Sequence, residues 1–135
     1  MIERIERIEW KGEILALILR SNYEPEGTNF ITSGENPIQL GVLKHRQGTK
    51  IKPHVHKNIP KIINDIQEVL HMEYGKVEVE FYDSANTKIG ITILNSGDTI
   101  LLISGGHGFN VLEDSKLIEV KQGPYYSVGE DKERI

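Results

Sequence analysis

Histidine and glutamate side chains, which can bind a metal ion, raise the question of a metal site in this chain. His54 and His56 are separated by one residue, Glu68 follows later in the chain, and His107 lies after a pair of glycines. Imidazole nitrogens and carboxylate oxygens bind divalent iron, manganese, nickel and zinc. The chain has no cysteine, which excludes thiolate ligands, thiolate catalysis and disulfides. A bound metal would therefore depend on histidine and acidic side chains.

The two histidines of "HVH" are a weak signal when they are taken alone. Alternate side chains of a strand share a face, so His54 and His56 would point the same way, with Val55 opposite. Pro53 suits the beginning of such a strand, where its missing amide hydrogen is not needed. The alternative is an unmetallated pair of histidines that hydrogen-bond to each other or to water.

The segment around Glu68 permits two interpretations. Residues 58–72 show aliphatic side chains at helical spacing, Asn58 is a suitable helix cap, and Pro60 suits a first turn. On that interpretation Glu68 is a solvated helix residue. If Glu68 instead begins a strand, Gly75 is expected to open a turn into the next strand.

Most of the chain shows the patterns of short β-strands. "EILALILR" is apolar on both faces and predicts a buried strand, and "KVEVEFYD" alternates between a core face and a solvated face. "PIQLGVLKH", "KIGITIL", "TILLIS" and "KLIEVKQ" are further candidates, with turns such as "NSGD" and "GGHG" between the later ones. "IERIERIE" fits neither period and is expected to form a short helix or an irregular first strand. Together these patterns predict an all-β barrel or sandwich.

Composition limits the classes of partner. A chain of 135 residues suits one domain, and the formal net charge of −4 argues against an extended basic surface for nucleic acid. No apolar run approaches the roughly 18 residues of a membrane span, so no membrane partner is expected. The N-terminal "MIERIERIEW" lacks the pattern of a signal peptide, which favours a cytoplasmic location.

Two motifs give the chain a resemblance to a known family. Residues 48–75 fit G-x5-H-x-H followed by E-x6-G, and residues 97–110 fit GD followed by G-x-H-x2-N. This order resembles the two motifs of the cupin superfamily, and the chain is similar to small bacterial cupins of unassigned function. The resemblance implies a double-stranded β-helix, or jelly-roll, barrel in one domain over residues 1–135. Residues 1–12 would lead in and residues 122–135 would form a C-terminal arm.

The resemblance also implies a site. His54, His56, Glu68 and His107 would hold one divalent ion inside the barrel, of iron, manganese, nickel or zinc. The eleven residues after His56 would form an inserted loop or short helix between the ligand strands. Other cupins suggest an isomerase, epimerase or dioxygenase acting on a small polar, carbohydrate-like metabolite, in a homodimer. The alternative is a non-catalytic module that binds or senses a small ligand or metal.

Several side chains have no assigned role in this scheme. His107 has a second interpretation as an ordinary turn histidine, and His45 and His71 match neither motif. Asn110 is a candidate, by its nearness in sequence, for orienting a metal ligand, as are Gln67 and Tyr74. The catalytic residues are unassigned. Lys52 is in phase with the first histidine, but it is expected to be a charge at the rim.

Overall fold

The regular elements of the residues that the structure describes are β-strands, which confirms the predicted all-β class. The structure, a computed structural model, describes residues 4–127, 129 and 132–135. The strands are β1 (Ile5–Trp10), β2 (Glu13–Leu19), β3 (Gly27–Phe30), β4 (Gly41–Lys44), β5 (Glu68–Tyr82), β6 (Lys88–Asn95), β7 (Thr99–Leu102) and β8 (Gly106–Lys121). They fall into two compact units. The large unit contains the described residues up to Tyr23 and from Ile66 onwards, and the small unit is Glu24–Asp65.

Strand β5 is the centre of the large unit. One of its edges pairs with β8 along almost the whole length of both strands. The other edge pairs with β7 over Glu68–His71 and with β6 over Lys76–Tyr82. The sheet continues from β7 to β2 and then to β1, and every pairing is antiparallel. All six strands therefore form one sheet.

Strands β6 and β7 lie end to end along β5. Both run antiparallel to it, so the chain keeps its direction through Ser96–Asp98. Gly97 donates its amide to the carbonyl of Met72 at 2.7 Å, and Met72 donates to the carbonyl of Asp98 at 2.9 Å. The prediction that "NSGD" separates two strands is confirmed. The segment is an interruption within one bent strand, however, and does not reverse the chain.

The sheet of the large unit is curled into a half-barrel. Strand β5 runs without a break through Gly75, which adopts a φ of +101°, and the register with β8 shifts three times between Met72 and Val77. Such irregularities bend a strand and increase its twist. The prediction that Gly75 opens a turn is therefore wrong, because this glycine bends one long strand. The jelly-roll connectivity of the cupins stays a prediction.

The core lies on the concave side of the half-barrel. Four consecutive residues of β2, Leu15 to Ile18, are buried, which confirms the strand with two apolar faces. Val77, Val79 and Phe81 are also buried, which confirms the alternation predicted from "KVEVEFYD". The N-terminal segment forms the irregular first strand, with a bulge between Ile8 and Glu9.

A buried carboxylate ties the bend between β6 and β7 to strand β2. Asp98 accepts hydrogen bonds from Arg20 Nη1 at 2.9 Å, from the amide of Ser21 at 2.9 Å and from the amide of Asn95 at 2.8 Å. Arg20 also donates two hydrogen bonds to Glu6. These partners raise the pKa of Arg20 against the opposing effect of its burial. The bend is thus held by charge-assisted hydrogen bonds.

The small unit contains one hairpin and a long irregular segment. Strands β3 and β4 pair so that Gly27 is opposite Lys44 and Phe30 is opposite Gly41. Residues 49–64 have neither helix nor strand. The prediction that His54 and His56 lie on a strand is therefore wrong, because no neighbouring strand hydrogen-bonds to these residues.

The helix predicted over residues 58–72 is also wrong. Its last five residues, from Glu68 to Met72, belong to β5, and the first four of these are paired on both edges. Hydrogen bonds to β7 and β8 outweigh a helical periodicity built from isoleucine, which has only moderate helix propensity. The excursion between His56 and Glu68 is thus a loop, one of the two predicted forms. Along the described part of the chain, no helix has the length and apolar character needed to cross a membrane.

Candidate functional site

His107 is placed by the turn that leads into β8. Gly105 adopts a φ of +72° and packs so close to the carbonyl of Tyr82 that a Cβ would lie 2.5 Å from this oxygen. Only glycine fits such an approach, so the turn brings β8 tightly against the end of β5. His107 is then opposite Phe81, whose side chain is buried in the core. Directly paired residues share a face, so the imidazole lies on the concave side.

Glu68 begins β5 and reaches the same place from the other end of that strand. It is opposite Leu102 on one edge and Lys121 on the other. Its Oε2 atom lies 3.7 Å from Nε2 of His107, and both side chains are largely buried. The structure therefore brings together two of the four predicted ligands, one from each of the two sequence motifs.

These two residues line an open cavity of about 790 Å³ within the large unit. Leu70, Phe109, Val111 and Leu117 supply an apolar part of its wall. The volume lies within the range of about 300–1,000 Å³ that is usual for small-molecule sites. An apolar wall with a few polar groups suits a small ligand that is held in one orientation.

The C-terminal arm contributes to the same cavity. Lys132 to Ile135 line it, and the tip of the Ile135 side chain packs against Gly106. Tyr125 and Tyr126, which the sequence placed in the arm, are exposed. Among the described residues of the arm, those at the cavity are therefore the last four, and the two tyrosines do not line it.

Burial favours the neutral form of His107. Removal from water lowers the pKa of this imidazole below its ordinary value, while the nearby Glu68 carboxylate partly opposes the shift. Lys132 adds to the lowering, and Glu119 opposes it. A neutral imidazole has a free lone pair, which is the form that a metal ion needs.

The Glu68–His107 pair fits one divalent ion. Metal–nitrogen and metal–oxygen bonds are about 2.0–2.2 Å long, so two ligands of one ion can lie as much as about 4 Å apart. The 3.7 Å between the two atoms falls within this limit and is too long for a strong direct hydrogen bond. Among the described residues, no three histidine and acidic side chains form a group that could hold a metal ion.

His54 and His56 form a second pair, in the small unit. Their ring centroids are 5.3 Å apart with the planes at 71°, and both side chains are exposed. A hydrogen bond of 2.8 Å joins His54 Nδ1 to the carbonyl oxygen of Lys52. If Nδ1 donates this bond, Nε2 has a free lone pair, as in many metal-ligating histidines. The two side chains adjoin although the strand predicted for them is absent.

Asn110 lies on the wrong face of the sheet to orient His107. It is opposite Glu78, and its side chain donates to Glu78 at 3.1 Å and to Glu80 at 2.8 Å. The prediction that Asn110 supports a metal ligand is therefore wrong. Residues three apart in a strand face opposite sides of the sheet. If residues 107–110 are taken as a strand, the sequence alone therefore places His107 and Asn110 on opposite faces.

Glu80 is the centre of the polar cluster that Asn110 joins. Its carboxylate accepts hydrogen bonds from Tyr82 Oη at 2.7 Å and from Lys88 Nζ at 3.2 Å, in addition to Asn110. These three donors lower the pKa of Glu80, with Tyr82 the largest contributor, and the bond to Glu80 raises the pKa of Tyr82. The face predicted to be simply solvated is an ordered network.

Glu119 is a cavity residue that the motifs did not indicate. It follows from the alternation of "KLIEVKQ", in which Leu117 and Glu119 share a face. His71 lies on the other face of the sheet and hydrogen-bonds through Nδ1 with Thr99 Oγ1 at 2.8 Å. His45 lies in the small unit near Thr28.

Comparison with protein-family models, curated proteins and solved structures finds no match to this chain.

Proposed function

We propose that the chain is a cupin-like protein that binds one divalent metal ion and a small polar ligand in the half-barrel cavity. The observation that supports this proposal is the 3.7 Å separation of His107 Nε2 and Glu68 Oε2 on the concave wall. The ion would be iron, manganese, nickel or zinc, since all four accept nitrogen and oxygen ligands. The sequence resemblance adds His54 and His56 as further ligands.

The metal would supply a positive charge able to polarise a carbonyl or hydroxyl group of the ligand. Glu68 and His107 would hold the ion, and the apolar wall around Phe109 would exclude water from one side of it. Glu119 is a carboxylate on the same wall and would accept a hydrogen bond from a ligand hydroxyl. Lys132, also on the wall, would favour a ligand with a negative charge or an exposed oxygen.

Catalysis is the first form of the proposal, with isomerase, epimerase or dioxygenase chemistry suggested by the resemblance to cupins. In an enzyme of this kind, Glu119 is the side chain of the cavity best suited to transfer a proton. The second form is a binding or sensing module. It is favoured because neither motif has a lysine or aspartate at a position that clearly faces the ligands. The fold alone does not separate the enzyme from the binding module.

Metal titration of untagged protein against a chromophoric chelator tests the site. We expect about one equivalent of zinc or manganese to bind, and E68Q and H107A each to weaken binding by about tenfold or more. H45A removes a histidine outside the site and should leave the affinity unchanged. Wild-type protein that cannot be loaded with any of the four metals would refute the proposal.

The double variant H54A/H56A decides the number of protein ligands. A loss of affinity similar to that of H107A would support four ligands, while unchanged affinity would limit the protein ligands to Glu68 and His107. A screen of sugars and organic acids by thermal shift then identifies the ligand, because a ligand that binds only the folded state raises Tm. Conversion of that ligand supports an enzyme, and its recovery unchanged supports a binding module.

A further inference from the structure

The small unit has a cavity of its own at the open end of its hairpin. It has a volume of about 360 Å³ and is lined by residues from both sides of the β3–β4 pair. Gly27 and Lys44, which are opposite each other in the register, both line it. His45, Arg46 and Thr49 follow β4 and complete that side. Nothing in the metal-site proposal uses these residues.

A tight turn positions the polar groups of this cavity. The amide of Thr49 donates to the carbonyl of Arg46 at 3.1 Å, and Gly48 adopts a φ of +88° between them. A positive φ at the third position of such a turn is adopted most easily by glycine. The turn therefore places Arg46 and the hydroxyl-bearing Thr49 on one wall of the cavity.

The guanidinium of Arg46 is available for a ligand. Within the described part of the chain, no side-chain hydrogen bond or ion pair of Arg46 is found. Lys44 contacts Glu24 at 2.9 Å, but more than half of each side chain is exposed. An exposed ion pair of this kind contributes only about 0–1 kcal/mol, so Lys44 can exchange its partner for a ligand.

The local charge favours an anion although the whole chain is acidic. The segment from Lys44 to Lys61, both ends included, contains six lysine and arginine residues, three histidines and no acidic residue. A cluster of one sign raises the local concentration of ions of the other sign. Glu26 is the acidic side chain among the residues that line the cavity, and it would weaken the binding of a fully charged anion.

We propose that this cavity binds a phosphate group. Arginine matches the oxygen geometry of phosphate with two parallel hydrogen bonds, and lysine and threonine add single donors. The cavity has room for a phosphate together with part of the molecule that bears it. The group would come from a soluble phosphate monoester or from the headgroup of an anionic phospholipid.

Calorimetric titration with inorganic phosphate and with glycerol phosphate, at low ionic strength, tests the site. We expect R46Q to weaken binding of both by about tenfold, since one charge-assisted contact is lost. K57Q removes the same charge from the same unit outside the cavity and should change the affinity by less than about twofold. E26Q should tighten binding, because it removes the opposing charge.

Vesicles identify the source of the phosphate. Sedimentation with phosphatidic acid vesicles, lost in R46Q and absent with phosphatidylcholine, would support a phospholipid headgroup. Binding of glycerol phosphate without sedimentation would support a soluble monoester. Equal losses in R46Q and K57Q would show nonspecific charge attraction and overturn the proposal. Failure of wild-type protein to bind any of these phosphates would also overturn it. None of these outcomes depends on the metal site.

Discussion

The Nε2 atom of His107 lies 3.7 Å from Oε2 of Glu68, although His107 is paired with Phe81 at the other end of β5. Along a straight strand, the thirteen steps from Glu68 to Phe81 would span about 40 Å. The contact therefore requires the strand to curl back on itself. The curl of β5 therefore has two consequences. It forms the cavity, and it brings Glu68 of the first motif close to His107 of the second.

We expect His107 of the metal-free protein to titrate below its ordinary pKa of 6.5, because burial disfavours the imidazolium more than Glu68 favours it. NMR of the imidazole carbons over a pH series measures this directly. E68Q should lower the pKa further, since it removes the stabilising charge. A pKa that rises in E68Q would contradict the assigned cause.

The same shift makes stability depend on pH in a defined direction. The unfolded chain takes up the His107 proton at a higher pH than the folded protein, so the free energy of unfolding should fall as the pH drops below about 6.5. Denaturant unfolding at pH 7.5 and pH 5.5 measures the change. H107Q has no such proton, and the difference between the two pH values should be smaller in that variant.

Asp98→Ala should destabilise the large unit by about 3 kcal/mol, because two amides lose their acceptor and the partly buried Arg20 loses one of its acceptors. Asp98 is 3% exposed and accepts from Arg20, Ser21 and Asn95. Urea unfolding followed by circular dichroism gives the value. Arg7→Ala is the matched control, since the Arg7–Glu9 ion pair is exposed and worth less than about 1 kcal/mol. Similar losses in both variants would show that Asp98 has no special role.

Gly75→Ala should cost about 2–4 kcal/mol, since alanine is strained at a φ of +101° and its Cβ would meet the neighbouring strand. That Cβ would lie 2.5 Å from the carbonyl oxygen of Asp114 and 2.6 Å from Cα of Ser115. Gly90→Ala has open space around it and should change stability by less than about 0.5 kcal/mol. Thermal unfolding of the two variants makes the comparison. Equal effects would mean that Gly75 does not impose the bend.

Tyr82 should titrate above its ordinary pKa of 10.0, because ionisation removes its hydrogen bond to the Glu80 carboxylate. Its contribution to stability is present below pH 10 and is lost as the pH rises through the higher folded-state value. The contribution of Glu80 to stability depends on pH in the opposite direction. Its pKa is lowered, so its contribution is present above pH 4.5 and is lost as the pH falls further.

The difference in absorbance at 295 nm between wild type and Y82F isolates this titration from the other tyrosines. E80Q should return the Tyr82 pKa towards 10 and should also remove the contribution that Glu80 makes to the pH dependence of stability. An unchanged titration in E80Q would rule out Glu80 as the cause. Glu80 is not among the residues that line the cavity, so metal affinity should be retained in E80Q.

Local patterns correctly predicted the buried residues of strands β2 and β5. Val77, Val79 and Phe81 are buried as their alternation requires, and the apolar run from Leu15 to Ile18 is buried on both faces. These assignments succeed because period 2 and uniform apolarity depend only on neighbouring residues. The failures at Gly75 and from Glu68 onwards share a cause, since there the pairing of β5 with β8, and with β7 as far as His71, decides the conformation.

By itself, the sequence determined the all-β class, most of the buried strand residues and the candidate ligands Glu68 and His107. Only the tertiary structure decided that β6 and β7 form one bent strand, that Gly75 curls β5, and that Glu68 and His107 meet across a cavity. The reason is physical. A residue's own side chain and its neighbours set the face it presents, while the strand that pairs with it is chosen by hydrogen bonds between segments far apart in the chain.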